Sequence, residues 1–113
     1  MTERNEELET IELTIKESKK YVDRMESLFK LTKNRDFNRL IDKGYFEEEA
    51  SRLVLLKADP NMQDVKNQEH INKSIDSIGY FRQYLANVIQ LGRMMEKSIE
   101  ESNEAKNELL IEE

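Results

Sequence analysis

Two long stretches of the sequence place apolar residues at alternating spacings of three and four, the pattern of a helix with one apolar seam. The first stretch covers residues 3–32, and its seam positions are Leu8, Ile11, Ile15, Ser18, Val22, Met25 and Phe29. The second leads towards the C-terminus, and its seam positions are Ile78, Phe81, Leu85, Val88, Gly92, Met95, Ile99, Ser102, Lys106 and Leu109. We therefore expect one helix over 3–32 and another from about 65 to 110, with a bend near Gly79 as an open alternative.

The lengths of these helices predict how they pack. A helix of 30 residues is about 45 Å long, whereas a compact domain of this size has a radius of gyration of about 13 Å. We therefore expect an elongated all-α hairpin, an antiparallel coiled coil of 3–32 with 78–110. A register in which paired positions sum to 117 matches both seams and places Met25 opposite Gly92. A slip of seven residues would match the spacing as well, so the register stays open.

The segment between the seams predicts a small helical head over 33–84, within a single domain of 1–113. Asn34 is expected to cap a helix over 35–43, and Gly44 to end it. Three glutamates, Glu47 to Glu49, suit the first turn of another helix, because acidic side chains oppose the positive end of the helix dipole. We expect that helix to stop at Asp59-Pro60. We also expect it to be well buried, since apolar residues nearly encircle it: Ala50, Leu53, Val54, Leu55 and Leu56.

Composition narrows the classes of function. The chain has no cysteine, one histidine and a net charge of −6, so we expect no thiolate or histidine metal site, no cofactor, no catalytic residues and no direct binding of nucleic acid. It has neither a signal peptide pattern nor an apolar run of membrane-spanning length, which predicts a cytoplasmic protein. Acidic pairs three residues apart, Glu6/Glu9 and Glu101/Glu104, leave a small helical nucleotide hydrolase as a remote alternative.

The charge is concentrated at the two ends. Residues 1–12 contain five glutamates and one arginine, and residues 100–113 contain six glutamates and one lysine, so the middle is slightly basic. The hairpin would bring both acidic ends to one tip, either as solvated charge or as a surface for a basic partner. Four apolar residues lie off the seam and need cover from a partner or a second copy: Leu13, Ile89, Leu91 and Met94. The candidate partner-binding residues are Ile89, Leu91, Met94, Glu101, Glu104 and Glu108.

Three blocks of the sequence resemble a family of small proteins encoded by tailed phages. They are DFNRLI at 36–41, GYFEEEASRLVLLKADPNMQ at 44–63 and IDSIGYFRQY at 75–84. The pattern is similar to that of the RNA polymerase-binding proteins of T-even-like phages. The resemblance implies a non-enzymatic protein that binds host RNA polymerase in the host cytoplasm and modulates transcription. The alternative is a homo-oligomeric coiled-coil protein, at least a homodimer, that serves in virion structure or as an assembly chaperone.

Overall fold

The computed structural model describes residues 2–112, and every regular element in that part of the chain is a helix. Two long α-helices, α1 (Thr2–Thr32) and α4 (Val65–Ile111), confirm the two helices that the seams predict. Between them lie a single turn, α2 (Arg35–Phe37), a π-helix (Asn38–Glu49), α3 (Ala50–Lys57) and a 3-10 turn (Pro60–Met62). The all-α hairpin is therefore the fold of this chain.

The chain divides into two compact units. The first contains the residues up to Leu28 together with those from Asn87 onward, which are most of α1 and the last part of α4. The second is the continuous segment Phe29–Ala86, which contains the end of α1, the short central helices and the first part of α4.

In the first unit, α1 and α4 pair antiparallel in the expected register. Gly92 is buried, and a Cβ atom added to it would overlap the Cβ of Met25 and would lie 2.7 Å from its Sδ. Lys106 makes an ion pair with Glu12 at 3.3 Å, which requires nearly the same alignment. The register that sums to 117 is confirmed, and the slipped alternative is wrong. The buried positions of α1 here are Ser18, Met25 and Leu28, of which Leu28 lies one residue off the predicted seam.

In the second unit, the core forms where α3 meets the first part of α4. Leu53 packs with Ile71 and Ile78, and all three side chains are buried. The spacing of 71 and 78 is two helical turns, so one face of α4 supplies both. The rings of Tyr45 and Phe46 contact Phe81 with centroids 6.2 and 5.6 Å apart, and they extend this core along α4. The π-helix is therefore held to α4 by aromatic packing.

Side-chain caps define the turns between these helices. The Asn34 side chain accepts a hydrogen bond from the backbone N–H of Phe37, which confirms it as a cap. Asp59 does the same for the N–H of Asn61 at the start of the 3-10 turn, so the chain does leave the helix at Asp59-Pro60. The Gln68 side chain then donates to the carbonyl oxygens of Lys57 and Met62, which ties the beginning of α4 to the end of α3.

The expectation for Gly44 is wrong. The chain does not leave the helix there, and Gly44 has no positive φ. It lies inside the π-helix, where hydrogen bonds run between residues five apart. A Cβ at Gly44 would lie 2.9 Å from the carbonyl oxygen of Arg39, five residues earlier, so the missing side chain allows the wider turn to close. Residues 47–49 consequently end the π-helix and do not open a new helix.

The expected burial of α3 is also wrong. Leu53 is buried and Leu56 is half-buried, but Val54 and Leu55 are 58% and 74% exposed. In the part of the chain that the structure describes, α4 and the π-helix cover the side of α3 that carries Leu53. The apolar residues on the other side are left on the surface.

Candidate protein-binding surfaces

One surface of α3 is largely apolar and runs from Ala50, which packs against the edge of the core, to the exposed Leu55. Residues 50, 51, 54 and 55 share one side of the helix because its period is 3.6 residues. Ala50 and Ser51 are small, and together with Val54 and Leu55 they line a shallow depression of about 400 Å³. We call these four residues the α3 outer face. It combines two small and two large residues, which is a shape that can receive a side chain and insert one.

Other large side chains are also exposed in the second unit. Tyr80 and Tyr84 are four residues apart on α4 and are both exposed, as is Leu40 in the π-helix. Single exposed apolar residues are common on protein surfaces. The α3 outer face differs because two adjacent large aliphatic residues are exposed together.

The opposite side of α3 borders a groove of about 470 Å³ within the second unit. Its floor is the core of Leu53, Ile71 and Ile78, and its rim carries an ion pair between Arg52 and Glu49. The Nε of Arg52 donates to Glu49 Oε1 at 2.9 Å, and its Nη2 donates to the same oxygen. This hydrogen bonding lowers the pKa of Glu49 and raises that of Arg52. Both side chains are therefore charged at neutral pH and occupied with each other.

The remaining polar groups of this groove do not form a nucleophile and base. His70 is exposed and lies on the rim with Ser74 and Ser77. The Ser74 hydroxyl donates to the backbone carbonyl of His70 at 3.0 Å, and the Ser77 hydroxyl donates to that of Lys73 at 2.8 Å. Each hydroxyl proton is thus directed at its own helix, and a general base would need that proton.

A second groove, in the first unit, lies between α1 and α4 and has a volume of about 600 Å³. We call it the acidic groove. Its floor contains Ile11, Ala105 and Leu109, which are all half-buried. Its rims carry five glutamates: Glu3, Glu6 and Glu7 from α1, Glu108 from α4, and Glu112, which follows the end of α4. The antiparallel register therefore brings both acidic ends of the chain to one groove.

The structure places the candidate partner-binding residues in different settings. Met94 is exposed, whereas Ile89 and Leu91 are half-buried. The three glutamates, Glu101, Glu104 and Glu108, are all exposed, but only Glu108 lines the acidic groove. Binding by these six residues remains a prediction.

The acidic pairs considered for metal binding lie on exposed helix surfaces. Glu6 lines the acidic groove, Glu9 is exposed beside it, and the pair Glu101/Glu104 is exposed on α4. Within residues 2–112, no group of three or more His, Asp or Glu side chains is placed to hold a metal ion. In the same part of the chain, no helix combines the length and apolar character required to cross a bilayer.

Sequence reasoning missed the α3 outer face. The run Leu53-Val54-Leu55-Leu56 covers almost the whole circumference of a helix, so its pattern does not say which side lacks a neighbour. The available signal was the pair of small residues, Ala50 and Ser51, one turn before Val54 and Leu55. Comparison with family models, curated proteins and solved structures gives no match for this chain.

Proposed function

We propose that this protein is a non-enzymatic protein-binding module that uses the α3 outer face to bind a protein partner. The observation that carries the proposal is the joint exposure of Val54 and Leu55, at 58% and 74%, beside two small residues. The partner we propose is bacterial RNA polymerase, as the resemblance to the phage proteins implies. The protein would then act in the cytoplasm of the host cell as a modulator of transcription.

The energetics of the α3 outer face support a binding role. Burying the part of a Val or Leu side chain that is still exposed contributes roughly 1–2 kcal/mol. Ala50 and Ser51 let a partner's backbone or side chain approach α3 closely, so both large residues can be covered by one contact. Binding energy in protein interfaces is commonly concentrated in a few central apolar residues of this kind.

The test is an affinity experiment on bacterial lysate at low salt with the tagged full chain. We expect RNA polymerase subunits to be recovered by the unmodified protein and at least about tenfold less by Val54→Ser/Leu55→Ser. The matched control is Leu31→Ser/Val65→Ser, which removes two exposed aliphatic residues outside α3 and should leave recovery unchanged. If no polymerase subunit is recovered at low salt, the proposed partner is wrong.

Light scattering on the purified protein tests the structural alternative. If the α3 outer face binds a separate partner, the purified protein alone should form a single species of low mass and no high-order oligomer. A stable high-order oligomer that Val54→Ser/Leu55→Ser dissociates would instead assign the α3 outer face to contacts between copies. That result would favour a virion or assembly role over binding of polymerase.

A further inference from the structure

The acidic groove offers a second surface, in the other unit of the chain, that the proposed function does not require. Its floor is apolar, with Ile11 from α1 facing Ala105 and Leu109 from α4. Two paired helices leave such a groove along their line of contact, and a third helix can pack into it.

The charge around the acidic groove decides what can occupy it. Among residues 2–112, the lining of the groove includes five glutamates and neither lysine nor arginine. A second copy of the chain placed groove to groove would bring like charges together, which disfavours that arrangement. A partner with lysine or arginine beside its apolar residues would match both the rims and the floor.

The length of the acidic groove sets the size of the occupant. On α1 its lining runs from Glu3 to Ile11, which is about 12 Å at 1.5 Å per residue, or roughly two helical turns. A ligand that contacts both rims over this length needs several cationic groups separated along its axis. A helix satisfies this requirement when lysine or arginine residues flank an apolar stripe at spacings of three and four.

We propose that the acidic groove binds a basic amphipathic helix of a partner protein. The apolar stripe of that helix would cover Ile11 and Leu109, and its flanking cations would lie near Glu7 on one rim and Glu108 on the other. This inference concerns a different surface from the α3 outer face, so each can fail while the other stands.

The probe is a fluorescent synthetic helix of about 14 residues, or roughly four turns, that carries leucine at helical spacings and lysine on both flanks. Two reference peptides accompany it. One has the same composition in an order that destroys the amphipathic pattern, and the other replaces every lysine with glutamate. Binding to the full-length protein is followed by fluorescence anisotropy at low and at moderate salt, because salt screens contacts between exposed charges.

Two double variants separate the acidic groove from the general acidity of the protein. Glu7→Gln/Glu108→Gln removes one charge from each rim. Glu9→Gln/Glu104→Gln removes the same charge from the same two helices at exposed positions that do not line the groove. Circular dichroism should show equal helix content in both, so that a difference in binding reports the groove itself.

We expect the basic amphipathic peptide to bind, and its affinity to fall roughly 2- to 30-fold in the rim variant, as for two exposed ion pairs. The off-groove variant should bind within about twofold of the unmodified protein. Three results would overturn the proposal: no binding at low salt, an equal loss in both variants, or equal binding of the rearranged peptide. If both variants still recover RNA polymerase, the proposed function stands and the polymerase binds at another surface.

Discussion

Replacement of Gly92 by alanine should destabilise the protein because Gly92 packs directly against Met25 where α1 and α4 meet in the first unit. The Cβ of alanine would lie 2.9 Å from Met25 Cγ and 2.7 Å from Met25 Sδ, and it would be closer still to Met25 Cβ. The sulfur can move by rotation of the side chain, but Cβ is fixed to the backbone of α1. The two helices must therefore separate or shift for alanine to fit.

The expected magnitude follows from two opposing effects. Forcing an extra carbon into a packed contact costs about 1–3 kcal/mol, and the upper part of this range applies because backbone-linked atoms overlap. Alanine is also a better helix former than glycine by about 0.8–1.0 kcal/mol. The net loss should therefore be about 2 kcal/mol. With a urea m value of about 1–3 kcal/mol per molar, the midpoint of unfolding should fall by roughly 1 M.

Gly79→Ala is the matched control. Gly79 is exposed within the same helix, and nothing lies within 4 Å of the position where its Cβ would be. This variant gains the helix propensity without the overlap, so it should be more stable than the unmodified protein by about 0.8–1.0 kcal/mol. Urea unfolding followed by circular dichroism measures both. If Gly92→Ala is as stable as Gly79→Ala, then α1 and α4 do not pair at Met25 and Gly92, and the assigned register is refuted.

Four further variants test the second unit by the same measurement. Gly44→Ala should lower the free energy of unfolding by about 1–2 kcal/mol, because its Cβ would meet the Arg39 carbonyl oxygen at 2.9 Å. An increase in that free energy would argue against the π-helix. Leu53→Ala should cost about 2–5 kcal/mol, whereas Leu55→Ala should stay within about 0.5 kcal/mol, and equal losses would contradict the orientation of α3. Asn34→Ala should cost about 1 kcal/mol through the lost cap, and no change would mean that its hydrogen bond to Phe37 is unimportant.

The features that the sequence predicts well are those that depend on one helix or on a repeated pair of helices. The spacings of three and four specify which face of α1 meets α4, and the pairing of Met25 with Gly92 follows from matching large residues to small ones. The Asn34 cap is equally local, since the side chain bonds three residues ahead. Such features follow from the pattern of one helix or from matching the patterns of two helices.

The features that were mispredicted depend on how separate segments pack. Gly44 follows a helical segment, which is also the usual position of a glycine that ends a helix. The π-helix forms instead because Tyr45 and Phe46 contact Phe81, which is far away in sequence. The orientation of α3 has the same origin, since the packing of Leu53 against Ile71 and Ile78 decides that Val54 and Leu55 face outward. Local pattern does not contain this information.

The acidic groove results from the register of α1 and α4, and its glutamates should lower the stability of the first unit. The pairing of Met25 with Gly92 brings glutamates of α1 and α4 to the rims of one groove. Like charges around one site repel each other, so the unoccupied groove should destabilise the first unit, most strongly at low salt. A bound cationic helix would relieve this repulsion. Glu7→Gln/Glu108→Gln should therefore raise the free energy of unfolding of the free protein and at the same time weaken its binding of the basic peptide. If these glutamates serve only to keep the protein in solution, the substitution should change neither quantity.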